Sequence, residues 1–326
     1  MTIRPPRVQI AADHPIGALR RPHRNGALVR LRRGAYVPAD SEADLAEQIL
    51  DRCTAVARQL RIYFAFSHQT AALLHGLPIF DRHADKVHVI QPNRPSGTQA
   101  ADLVRHRVRE LPTSDVASLY ELPVTTLERT VLDCARGHPP AHALAVADAA
   151  LRRLSGTTRF NWPGPAELEQ QIRDRWRSRI EEMSPARGVV RARAVLAHAD
   201  GRAESPAESQ VRCLALAEGF LPPKLQARVS TTKGIYYPDL LWSGDAVRSN
   251  WRAVAVEYDG VAKYGAPEDL YAEKVREDAL RSAGCLVIRA TKVDLRDPRR
   301  LLGDLRTNLT LDPEAAQLRR ALRAVW

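Results

Sequence analysis

The segment YYPDLLWSGDAVRSNWRAVAVEYDG, Tyr236 to Gly260, constrains the fold more than any other stretch of the chain. Two apolar runs flank a polar turn, the signature of adjacent strands, yet Asp239, Glu257 and Asp259 stand inside those runs. A carboxylate in low-dielectric surroundings is costly unless a cation meets it. The fold must therefore bring positive charge to one end of a sheet. Asp239 follows Pro238 in the first run and Glu257 lies 18 residues further on in its hairpin partner, so the two can meet across the ladder. Such hard oxygen ligands, completed by water and a substrate phosphate, suit Mg²⁺ or Mn²⁺.

The flanking sequence supplies the rest of the sheet. In SPAES, Ser205 reads as a helix N-cap, Pro206 as the first helical residue and Glu208 as the acid three residues after the cap. Glu208 thus has a complete capping role available to it. Strands follow in LQARVSTT, IYYPDLLW and RAVAVEYDG, then a helix in PEDLYAEKVREDALRSAG and a strand in CLVIRATKVDL. The order is α-β-β-β-α-β, and the apolar runs VAVEY and CLVIRA, separated by a crossover helix, predict a mixed sheet flanked by helices. YPDLLW followed by VAVEYDG resembles the PD-(D/E)xK nuclease superfamily. More narrowly, the span from SPAESQVR through EYDGVAKYG to EKVREDALRSAGCLVIR is similar to Vsr-like nuclease domains. The resemblance implies a restriction-endonuclease-like fold and hydrolysis of phosphodiesters by a metal-activated water. It implies Asp239 and Glu257 as metal ligands, Asp259 as ligand or water-positioning group, and Glu208 as an outer carboxylate. Asp259 stands where the superfamily carries lysine; Lys263 and Lys274 are the nearby ammonium groups, each also readable as a surface or helix-pairing residue.

A formal net charge of +11 and a pI near 9.9 favour a polyanionic partner, because cations facing phosphates release counterions. Composition alone can be basic without a partner; local concentration is more telling. Arg20, Arg21, Arg24, Arg30, Arg32 and Arg33 fall within LRRPHRNGALVRLRRGAYV, which contains no acid. The NG turn signal, the alternation of apolar and basic residues and the turn at Gly34 predict a β-ribbon with arginines on one face. This ribbon, with FSHQTAALLHGLPI and LPVTTLERTVLDCAR, resembles AbiEi-type antitoxin proteins, which implies a DNA-binding wing. PPRVQIAADHPIGALRRPHR lacks the two amphipathic helices of a complete winged helix-turn-helix, so sequence-independent contact with duplex phosphates is the expectation, rather than major-groove readout.

The whole reads as an α/β chain, α+β overall, with a basic, truncated winged-helix-like ribbon over 1–40 and an AbiEi-like α+β domain over 41–155. A helical connector over 156–200 and a nuclease-like domain over 201–326 complete it. His68 and His75 share a helical face but lack a third ligand, which favours packing or hydrogen-bonding roles. Cys53, Cys134, Cys213 and Cys285 have no metal or disulfide spacing. With no secretory signal and no apolar run of ~18 residues, the expectation is a cytoplasmic protein outside the membrane. Oligomeric state is open, and a homodimer is compatible. Two functions compete: a Mg²⁺-dependent DNA endonuclease, or a non-enzymatic DNA-binding regulator of the antitoxin type with an inert nuclease-like domain. RNA is not excluded as substrate.

Overall fold

The computed structural model describes residues 6–39, 43–80, 86–92, 100–260 and 267–323, with side chains throughout except at 267–272. The architecture is mixed α/β, and the chain divides into two units, Met1–Asp133 and Cys134–Trp326.

The first unit opens with β1 (Gln9–Ile10), the short helix α1 (Arg20–Arg24), β2 (Leu28–Arg32) and β3 (Ala35–Pro38), which form an antiparallel sheet in the order β1-β3-β2. Gly34 makes the hairpin turn at φ +76°, a left-handed conformation that favours glycine. The inner side of the ribbon, Ile10, Ala35 and Leu31, packs on Ala55 of α2 (Leu45–Gln59). Asp44 caps α2 in a reciprocal capping box with Glu47. Leu45 is exposed, while Ile49, Leu50, Cys53 and Val56 form the buried stripe. That stripe covers a five-stranded mixed sheet, order β6-β5-β4-β8-β7. Its strands are β4 (Ala65–Phe66), β5 (Val87–Gln91), β6 (Leu103–Arg107), β7 (Val116–Leu119) and β8 (Leu122–Thr125), with α3 (His68–Leu74) between β4 and β5. Helix α4 (Leu127–Gly137) follows, and its Arg129 is buried with Asp115 (2.7 Å) and Asp133 (3.0 Å).

The second unit begins with helices α5 (Pro140–Ser155), α6 (Ala166–Glu182), α7 (Val189–Ala197) and α8 (Pro206–Glu218). The charge density of α6 predicts a solvated helix, yet it buries Ile172, Trp176 and Ile180, a stripe at four-residue spacing, together with Glu169. Glu169 accepts the Thr157 hydroxyl at 2.5 Å and Arg173 at 3.2 Å. The sheet is β9 (Lys224–Leu225), β12 (Leu240–Ser243), β13 (Ala253–Asp259) and β14 (Cys285–Thr291), ordered β14-β13-β12-β9. β13 and β14 are parallel, joined through α9 (Pro267–Ser282), as a crossover requires. Side chains alternate between faces: Leu240, Trp242, Val254 and Val256 pack with Val211 of α8 and with Leu301 and Leu305 of α11 (Arg299–Asn308), while Leu241, Ala253 and Ala255 pack with Leu280 of α9.

Two expected strands are each broken in two. β10 (Val229–Thr231) and β11 (Gly234–Tyr236) leave the sheet as a separate hairpin. Pro238 has no N–H for the ladder, and Gln226 turns the chain at φ +48°. The last strand ends at Thr291, earlier than its apolar pattern suggests, because Thr291 caps α10 (Lys292–Arg296) in a box with Asp294. Helix α12 (Ala316–Leu322) closes the described chain.

Candidate functional site

The arginines of the first unit are displayed as the sequence suggests in all but one case. Arg20, Arg21 and Arg24 on α1, and Arg30 and Arg33 on the hairpin, are exposed. His23 ties α1 to the ribbon through the Leu28 carbonyl (3.1 Å) and a tilted ring contact with Tyr36 (5.3 Å). Arg32 departs from the group. A β-bulge between Arg30 and Arg32 adds one residue, and an odd shift sends the next side chain to the opposite face. Arg32 is therefore half-buried, 3.4 Å from Asp102, and desolvation holds its pKa below the usual arginine value. The ribbon has no single arginine face.

The carboxylates of the second unit gather around the ends of β12 and β13. Leu240 pairs with Val256, so Asp239 and Glu257 stand opposite each other, as expected. Their side chains take different partners. Asp239 accepts the backbone N–H of Tyr258 at 2.8 Å and the side-chain amide of Gln226 at 3.1 Å. The same amide donates to Glu208 at 3.3 Å, and Glu208 also accepts the Glu204 N–H at 2.9 Å. Ser205 caps α8 through the Glu208 N–H at 3.2 Å. Glu208 therefore both closes the helix start and joins the cluster. Burial, and then the charge of Asp239, push its carboxyl up to about 7. Gln226 is buried with its own carbonyl oxygen unpartnered among the described residues, and its left-handed backbone is a strained conformation for a non-glycine residue.

Glu257 turns to α9, where Arg276 donates to it at 2.5 Å and to the Tyr237 carbonyl at 3.2 Å. Asp259 lies 3.8 Å from Arg289, which also binds Glu273 and, at 3.1 Å, Glu277. Guanidinium groups thus stand beside two of the carboxylates for which the sequence suggests a metal. Arg289 was detectable by the same reasoning as the acids, being a charge inside the apolar strand CLVIRAT; Arg276 gives no such signal among the charges of α9. Lys263 lies outside the described residues. Lys274 is exposed; of the two acids at helical-pair spacing from it, Glu277 and Asp278, Glu277 is taken by Arg281 (2.9 Å) and Arg289. Among the described residues no three acidic, histidine or cysteine groups are placed together to hold an ion, and Arg276 stands beside Glu257.

A third grouping escaped the sequence reading. His106 stacks on His68 at 3.6 Å between ring centres and shares a 2.9 Å hydrogen bond with His88. The Gln69 amide donates to His88 Nε2 at 3.1 Å, so His88 donates from Nδ1 and His106 accepts. His68 and His75 do not converge, since His75 bonds the Thr125 carbonyl at 2.8 Å. Histidines from three separate elements leave no spacing pattern to read.

Comparison with known proteins places one segment. Residues 64–198 match the family model of the AbiEi antitoxin C-terminal domain. The match runs from β4 to α7 and contains two of the three segments on which the AbiEi resemblance rests, Phe66–Ile79 and Leu122–Arg136. Two uncharacterized Mycobacterium tuberculosis proteins, MT2308 (strain CDC 1551 / Oshkosh) and Rv2248 (strain ATCC 25618 / H37Rv), are 28% identical over 287 residues, covering 88% of this chain and 94% of each relative. The crystal structure of the RV2827C protein from the same species is 20% identical with a TM-score of 0.38, covering 63% of this chain and 75% of that one. The AbiEi match leaves out both the arginine ribbon and the carboxylate sheet, and none of these matches adds support to the nuclease resemblance. The four cysteines are free and buried, and among the described residues no helix is long and apolar enough to cross a membrane.

Proposed function

We propose that the chain is a DNA-binding regulator of the antitoxin type, in which the ribbon lies against the phosphate backbone and the nuclease-like sheet holds its carboxylates with its own side chains. The carrying observation is the display of Arg20, Arg21, Arg24, Arg30 and Arg33, exposed and without a carboxylate partner among the described residues, in a chain whose neighbouring segment matches an antitoxin domain. Phosphate contact of this kind makes affinity fall steeply with salt, by a slope of about 0.9 per neutralised phosphate. Replacing the five arginines by glutamine flattens the plot of log affinity against log salt by up to about 4, measured by mobility shift on duplex DNA in EDTA. Arg32→Gln leaves that slope unchanged. An unaltered slope in the five-residue variant removes the ribbon from the interface.

The endonuclease reading keeps one specific observation in its favour, the Glu208–Gln226–Asp239 group, in which Glu208 and Gln226 are buried, on a mixed sheet of the expected kind. Supercoiled plasmid with Mg²⁺, Mn²⁺ or EDTA separates the two readings. The regulator shifts plasmid and leaves it intact in every arm. Metal-dependent nicking by wild type that Asp239→Ala abolishes would replace the regulator by the enzyme.

A further inference from the structure

The second unit contains a cavity of about 800 Å³, within the range of small-molecule sites. It lies at the opposite end of β13 from the carboxylates, beneath the β10–β11 hairpin and beside the last turn of α9. Leu241, Ala253, Ala279 and Cys285 form an apolar floor, all buried. The rim carries Arg228 and Arg252, and no acidic residue lines the cavity. Neither arginine has a carboxylate partner among the described residues, in contrast to Arg276, Arg281 and Arg289 of the same unit. The position of Arg252 is built in. Its N–H donates to the Gly284 carbonyl at 3.0 Å. Gly284, at φ +84°, lies under its stem, where an added Cβ would stand 3.0 Å from Arg252 Cβ. Its charge reaches the floor: burial raises the Cys285 thiol, and Arg252 partly opposes that rise. The C-terminus of α9 contributes roughly half a negative charge nearby, which two full guanidinium charges exceed.

We propose that this cavity binds a small organic anion, an acyl or aryl body on the apolar floor with a carboxylate or phosphate head held by Arg228 and Arg252. The rim matches such a head because guanidinium groups meet both anions with paired, charge-assisted hydrogen bonds. An apolar body accounts for the floor of Leu241, Ala253 and Ala279, while Ser230, Thr231, Thr232, Ser243 and Ser282 add hydroxyls to the lining.

The test is a fluorescence titration of the full chain with 8-anilinonaphthalene-1-sulfonate and with its uncharged analogue N-phenyl-1-naphthylamine. Wild type saturates with one anionic dye per chain and binds the neutral dye more weakly. Arg228→Gln/Arg252→Gln, at exposed positions, keeps the thermal midpoint and weakens the anionic dye by about tenfold or more, while the neutral dye is unaffected. Ser282→Phe, which fills the mouth from an exposed position, removes both dyes. Displacement by octanoate against octyl phosphate then tells the carboxylate head from the phosphate head. Absence of saturable binding, or binding of the anionic dye that the double variant and Ser282→Phe both leave unchanged, overturns the proposal.

Discussion

Helices α5 and α8 of the second unit each bury a carboxylate, and the two are answered differently. Asp148, 1% exposed, takes Arg212 on both oxygens at 2.7 and 2.6 Å, the Ser209 hydroxyl at 2.7 Å and the Asp200 N–H at 2.8 Å. Glu208, 5% exposed, takes a backbone N–H and an amide it shares with Asp239, a second carboxylate. Burial raises both carboxyls, but a full positive charge opposes the rise at Asp148, whereas Glu208 meets neutral donors and a like charge that adds to it. A balanced buried acid is part of the scaffold. An acid held against its own electrostatic preference marks a place where the chain gives up stability, and such places cluster at functional sites.

The largest effect expected from this contrast falls on the balanced pair. Asp148→Asn leaves the Arg212 guanidinium, 4% exposed, without its counter-charge, at a cost of about 3–5 kcal/mol. Urea unfolding at neutral pH measures it. Arg212→Met combined with Asp148→Leu loses less than Asp148→Asn alone, because no charge is then stranded. A loss below about 1 kcal/mol in the single variant would show that the His198 carbonyl, which Arg212 also contacts, suffices, and the contrast with Glu208 would collapse.

At Glu208 the substitution acts in the opposite direction. Its folded pKa of about 7 exceeds the ordinary 4.5, so between those values the folded state binds the extra proton. Stability from this group is therefore present at low pH and is lost as pH rises from about 4.5 through about 7. Glu208→Gln removes the charge, keeps the acceptor for the Glu204 N–H, and stabilises the protein at pH 8 by up to about 3 kcal/mol, with the gain shrinking towards pH 5. Thermal midpoints of wild type and variant across pH 5–8 test this. Parallel curves would mean that neither burial nor Asp239 raises the Glu208 carboxyl.

These differences also mark how far the sequence could be read. The strand order, the parallel pair β13 and β14, the facing of Asp239 and Glu257, and the helix start at Ser205 all follow from local signals: apolar period, crossover length, and cap chemistry. The partners of the carboxylates do not. Arg276 is one charge among many on α9, and only the three-dimensional register of α9 over β13 distinguishes it from Lys274. Gln226, the neutral bridge, lies in a stretch that reads as continuous strand and carries no mark of the left-handed turn that aims its amide. The bulge that turns Arg32 inward is equally silent, since Arg30 and Arg32 alternate as a regular strand would. Long-range pairing and single-residue shifts of register decide these sites, and neither leaves a periodicity.

Glu257 stands between the two extremes, and its expected effect is the smallest. Arg276 meets it as Arg212 meets Asp148, yet the Arg276 side chain is 33% exposed and that of Glu257 12%, against 4% and 2% for the buried pair. Water and salt reach this contact and screen it. Arg276→Met therefore costs about 1 kcal/mol, a value that falls further in 1 M NaCl, whereas the cost of Asp148→Asn changes little with salt. Urea midpoints of both variants at low and high salt rank the pairs. Equal, salt-independent losses would place Glu257 among the scaffold carboxylates with Asp148. A loss near zero would show that Arg276 contributes nothing to the fold and is free to leave Glu257 when a cation or a phosphate backbone approaches the sheet end.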